Sequence, residues 1–111
     1  MENNLKWDEF LKIDMRVGTI LSAEVFEKAR KPAYILVVDF GPLGTKKTSA
    51  QITKLYQPSD LIGKQVIAVV NFPPKQIANI MSECLVLGGV DGADVTLLQP
   101  ERKVENGMRI F

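Results

Sequence analysis

Trp7, Phe10 and Leu11 recur at spacings of three and four, with Asp8, Glu9 and Lys12 among them. That period predicts a short amphipathic helix, its acidic residues in the first turn where the backbone dipole favours them. From Met15 the period becomes two: Met15, Val17, Thr19, Leu21, Ala23 and Val25 alternate with Arg16, Gly18, Ile20, Ser22 and Glu24. A long strand with one mostly apolar face is expected, and Gly18 inside it suggests a bulge or tight bend. A polar loop follows over 27–32. Residues 34–40 read as a second strand, and the turn Gly41-Pro42-Leu43-Gly44 leads to a hairpin partner over 46–52. Residues 53–63 read as a short helix or irregular connection. Residues 65–71 form a continuous apolar strand, expected to be buried on both faces and stopped by Phe72-Pro73-Pro74, since proline cannot donate to a ladder. Residues 85–90 and 95–98 flank the hairpin signal Asp91-Gly92.

Five or six short strands and little helix within 111 residues predict one small antiparallel barrel. An OB-fold leads the candidates, beside an SH3-like barrel and a compact sandwich, which periodicity alone does not separate. The longest apolar run, Val66 to Val70, is strand-sized, so no membrane insertion is expected. Met1-Glu2-Asn3-Asn4 is unlike the start of a signal peptide, and the single Cys84 suits a reducing compartment. A cytoplasmic location is expected, with Cys84 a small buried hydrophobe.

The chain has no histidine, which removes the Ser-His-Asp and Cys-His nucleophiles and the usual general base near neutral pH. With one cysteine besides, a zinc shell would need carboxylates alone. No enzyme activity, metal or cofactor is expected. The formal net charge of +1 is unevenly spread. Residues 28–75 carry eight cations (Lys28, Arg30, Lys31, Lys46, Lys47, Lys54, Lys64 and Lys75) against Asp39 and Asp60, while both ends are acidic. Converging in space, these cations would hold a polyanion; spread apart, they are a solvated surface.

Asp14-Met15-Arg16-Val17-Gly18-Thr19-Ile20 resembles the opening strand of the tRNA-binding domain shared by EMAPII-like cytokines, the C-terminal appendix of methionyl-tRNA synthetases and free-standing tRNA-binding proteins. Three further blocks agree in order: Lys31-Pro32-Ala33-Tyr34 through Val38-Asp39-Phe40-Gly41, Lys47-Thr48-Ser49-Ala50-Gln51-Ile52, and Val69-Val70-Asn71-Phe72-Pro73-Pro74-Lys75-Gln76-Ile77. The last block most resembles the CsaA-type secretion chaperones. The resemblance covers residues 7–111 as one domain, with 1–6 as an N-terminal extension. It implies an all-β, five-stranded OB-fold barrel with short flanking helical segments. It also implies a homodimer, with Trp7, Phe10 and Leu11 expected at its interface. Implied partners are unfolded or pre-secretory polypeptides, the translocation motor SecA and tRNA.

Two surfaces follow. For RNA, Lys31, Lys46, Lys47, Lys54 and Lys75 would supply a phosphate track, with Ser49, Gln51, Asn71 and Ser82 as hydrogen-bonding groups. Tyr34 and Phe40 read as core, so stacking would be minor. For polypeptide, Phe72, Pro73, Pro74, Ile77, Ile80 and Met81 would form a stiff apolar run, the last three sharing one face of a helical turn. The alternative for that run is a barrel plug or a subunit contact.

Overall fold

The computed structural model describes residues 3–111; Met1 and Glu2, part of the expected extension, lie outside the described residues. The 11-residue strand β1 (Met15–Val25) organises everything else, because three strands pair with it. They are β2 (Tyr34–Asp39), β4 (Gln65–Val69) and the short β10 (Arg109–Ile110). Outside β2 lies β3 (Thr45–Ala50), and outside β4 lies β7 (Leu85–Val86), giving the antiparallel order β3-β2-β1-β4-β7. The sheet curls until β3 meets the chain entering β7. There the Thr48 hydroxyl donates to the Cys84 carbonyl at 2.7 Å, and the Glu83 N–H donates to the Lys47 carbonyl at 2.8 Å. The result is the expected five-stranded, nearly closed OB-fold barrel. Two hairpins project from it: β5 (Lys75–Ile77) with β6 (Ile80–Ser82), and β8 (Gly88–Asp91) with β9 (Asp94–Leu97). Helix α1 (Trp7–Leu11) precedes β1, and α2 (Pro58–Leu61) sits in the connection from β3 to β4.

The core comprises Ile20, Leu36, Val38, Phe40, Leu61 and Val66, all fully buried. Ile20 belongs to it although plain alternation puts it on the polar face of β1. The reason is a bulge: Ile20 pairs with Val38 and Ser22 with Val37, leaving Leu21 unpaired. Leu21 is the exposed extra residue, and past it the inward phase shifts from Gly18 and Ile20 to Ala23. The expected single apolar face is therefore corrected to two half-faces of opposite phase.

Gly18 is not the bulge. It lies flat against the core, where an added Cβ would fall 2.6 Å from a Val38 methyl carbon and 2.7 Å from the Phe40 ring. The expected helical turn after Pro74 is corrected as well. Those residues form the β5–β6 hairpin, reversing at Ala78 with φ of +50°. Ile77 faces Ile80 across it, whereas Met81 pairs with Gln76 on the opposite face. The buried strand expected through Asn71 ends at Val69: the Val70 N–H still bonds the Asp14 carbonyl in register, but the Asp14 N–H turns to the Asn71 side chain instead of back to Val70.

Gly18→Ala should destabilise the fold by about 1–3 kcal/mol through overpacking against Val38 and Phe40. A lower urea midpoint with an unchanged slope would register it.

Candidate functional site

The loop over 26–33 joins β1 to β2 and carries Lys28, Arg30 and Lys31, all exposed, above buried Phe26 and Ala33. Facing it across the end of β3 is the tip of the β5–β6 hairpin. An open groove of about 610 Å³ runs between them, with Ser49 and Gln51 along its floor and Ile77 and Ala78 on the far wall. A second groove of about 590 Å³ continues past Lys31 and Gln51 to Lys54 and to Val90 and Val95 of the β8–β9 hairpin. A third, about 390 Å³, follows the β3 edge between Ser49–Ile52 and Leu85–Gly88. Gln51 lines all three, so they form one trough. Its charged lining residues, Lys28, Arg30, Lys31 and Lys54, are all cations. Among the described residues, no aromatic side chain lines it.

The trough mixes the two expected surfaces. Lys31, Ser49, Gln51 and Lys54 come from the expected RNA set and Ile77 from the polypeptide set. Strand alternation puts Lys47 on the outer face with Ser49 but turns Lys46, the partner of buried Val38, to the other face. The expected lysine track is thereby divided. Lys75 lies exposed at the hairpin base, opposite Ser82. Ser82 is engaged inside, its hydroxyl 3.0 Å from Thr48 Oγ1 and accepting the Ser49 N–H at 3.3 Å. Asn71 is engaged too: its amide donates to the Lys12 carbonyl at 2.7 Å and accepts the Asp14 N–H at 3.0 Å. Asn71 therefore ties α1 to the end of β4, and neither Asn71 nor Ser82 reaches the trough.

Phe72, Pro73, Pro74 and Met81 are exposed but lie outside the trough lining, and Ile80 is half-buried. Tyr56, packed against the core, is spent on structure. Its hydroxyl accepts the Leu97 N–H at 3.0 Å, and its carbonyl takes the Tyr34 hydroxyl at 2.7 Å. Sequence reasoning left Lys28 and Arg30 out of the site, although three cations in four positions marked the loop. It also missed Val90 and Val95, because their side of the hairpin depends on tertiary packing.

A separate patch gathers at the chain ends. Trp7 is 63% exposed, with its ring centroid 5.5 Å from that of Phe10, while Phe10 and Leu11 are half-buried. The Arg109 guanidinium donates to the Leu11 carbonyl at 2.9 Å and lies 4.9 Å from the ring centre of Phe111, itself 69% exposed. Asp14 holds Arg16 at 2.6 Å beneath them, with Arg109 Nε at 3.8 Å.

With this geometry in view, residues 15–109 match the family described as "Putative tRNA binding domain". The chain belongs to that family. Among solved structures, it is 54% identical to the chaperone CsaA of Bacillus anthracis, with a TM-score of 0.93 over 97% of this chain and 99% of that one. The CsaA chaperone protein of Picrophilus torridus is 50% identical, with a TM-score of 0.92 over 97% and 100%. A methionine–tRNA ligase of Methanococcoides burtonii is 40% identical over 104 residues, 93% of this chain and 15% of the ligase. The chain thus spans only a small part of the curated ligases it matches. It is a tRNA-binding-type module, and no helix among the described residues is long and apolar enough to cross a membrane.

Cys84 is buried beside the trough, and desolvation pushes its thiol from 9.0 up to about 11, against the downward pull of Thr48 and Lys46. The fold thus favours the neutral thiol. Its contribution is complete below pH 9 and is lost as pH rises toward 11. Native protein should resist iodoacetamide at pH 8, whereas urea-unfolded protein should react, as read by mass spectrometry.

Proposed function

We propose that this chain is a non-catalytic chaperone whose trough captures exposed apolar segments of unfolded or pre-secretory polypeptides, acting as a cytoplasmic homodimer. One observation carries the reading: an apolar-walled trough with a cationic loop and no aromatic lining. Single-stranded nucleic acid is normally held by stacking as well as by charge, and the trough lacks the stacking half. Apolar walls from Ile77, Val90 and Val95 suit aliphatic side chains instead. The similarity to proteins named as CsaA chaperones supports this reading.

A second ligand has its own support. Lys28, Arg30 and Lys31 project together from one loop, and the family is a tRNA-binding one. These residues would hold the phosphates of structured RNA, recognising shape more than sequence.

The two are separated by titrating the full chain with a fluorescent unfolded apolar peptide lacking charged flanks, and with bulk tRNA. Peptide affinity should hold from about 0.05 to 0.2 M salt, while tRNA affinity should fall by about 10-fold or more. Joint replacement Lys28→Glu and Lys31→Glu should sharply weaken tRNA while sparing that peptide. Failure of the peptide to bind at any salt would overturn the chaperone reading.

The exposed Trp7 and Phe111 support the subunit interface, since an apolar patch of this kind gains by being covered. Trp7→Ala with Phe10→Ala should give monomer mass in sedimentation equilibrium, against dimer mass for the parent. Unchanged mass would move the interface elsewhere.

A further inference from the structure

The trough exposes main chain as well as side chains. Lys47 turns both peptide groups away from β2: its N–H donates to Glu83 Oε1 at 2.9 Å and its carbonyl accepts the Glu83 N–H at 2.8 Å. Alternation along the strand turns Ser49 and Gln51 the same way. The Ser49 N–H reaches the Ser82 hydroxyl, and its carbonyl receives the Thr48 hydroxyl at a long 3.4 Å. That hydroxyl is better bonded to the Cys84 carbonyl at 2.7 Å. The Gln51 N–H and carbonyl have no partner among the described residues. Beside them lies the cleft of about 390 Å³, walled by Ile52, Val86, Leu87 and Val95. Closure of the barrel therefore stops short. It leaves a strand edge whose next hydrogen-bonding groups are free, next to an apolar cleft and a cationic loop.

A free edge is a template for another strand. Resting on the polypeptide reading above, we propose that an extended segment docks as an added strand on the Ser49–Gln51 edge. Its apolar side chains enter the cleft, and acidic residues flanking them meet Lys28, Arg30, Lys31 and Lys54. Main-chain bonds are the same for every sequence, so the edge supplies affinity without specificity. Selectivity comes from charge, because all the charged lining residues are positive. Apolar segments with acidic flanks are preferred, and those with basic flanks are repelled. RNA has no peptide groups for this edge, which favours a polypeptide occupant.

The test is fluorescence anisotropy on the full chain with one alternating Val/Thr peptide in four forms. They are flanked by Asp, flanked by Lys, and Asp-flanked with N-methyl groups on either of the two alternating sets of residues. Docking by strand addition predicts that one methylated set binds about 10- to 30-fold more weakly, while the other is nearly unchanged. The Asp-flanked form should bind about 10-fold or more tightly than the Lys-flanked form at low salt, the two converging as salt rises. Gln51→Pro, which removes a donor that bonds nothing in the fold, should weaken binding more than Gln51→Ala, which keeps it. Equal binding of both methylated sets would overturn the added strand while leaving the chaperone reading intact. Equal binding of both flanked forms would overturn the charge selection. If no peptide binds while tRNA does, the chaperone reading falls and this inference with it.

Discussion

The seam between β3 and the approach to β7 is the constraint on which the rest of the molecule depends. A five-stranded sheet must close on itself to bury both of its edges, and here closure rests on few groups. Thr48 is the one buried polar side chain among the described residues, and its hydroxyl spans the seam to the Cys84 carbonyl. Lys47 and Glu83 exchange a pair of bonds beside it, and the Ser82 hydroxyl takes the next N–H. A seam paired along its whole length would leave no cleft. A seam without Thr48 would leave unpaired peptide groups in a wet, open barrel. Partial closure both completes the core and creates the trough.

The electrostatics follow from the same geometry. Basic residues of the central stretch are distributed by strand alternation rather than gathered by it, so Lys46 and Lys47 leave on opposite faces. The loop over 26–33 has no such alternation, and its three cations remain together. The result is a cationic rim over aliphatic walls. That combination sits on a fold shared by a tRNA-binding family and by proteins named as chaperones.

The architecture was largely legible in the sequence, because period-two patterning, turn dipeptides and four motif blocks all pointed to one small barrel. The phase of β1 was not. A bulge at Leu21 leaves no compositional mark, and Gly18 drew the suspicion that belonged three residues later. The site was legible in part. Lys31, Ser49, Gln51 and Lys54 of the expected phosphate surface meet Ile77 of the expected polypeptide run in one trough, a meeting that depends on tertiary packing and left no mark in the sequence. Asn71 and Ser82 clamp the backbone, and in sequence a polar side chain that does so looks like one that awaits a ligand. Only the bonds to Lys12, Asp14 and Ser49 tell them apart.

The clamps around β1 also order events in time. Arg16 donates to the Gly107 carbonyl 91 residues away, and Thr19 bonds Asn106 across 87. During synthesis the β1–β2–β3 meander emerges together and closes through short loops. The outer half of β1 has to wait for residues 106–110 before its last bonds form. A chain released to fold from the start would face the same order, since distant closures carry the larger entropic cost. The region that seals last is the one carrying Trp7, Leu11 and Phe111, so this exposed apolar patch is assembled only by the final step of folding.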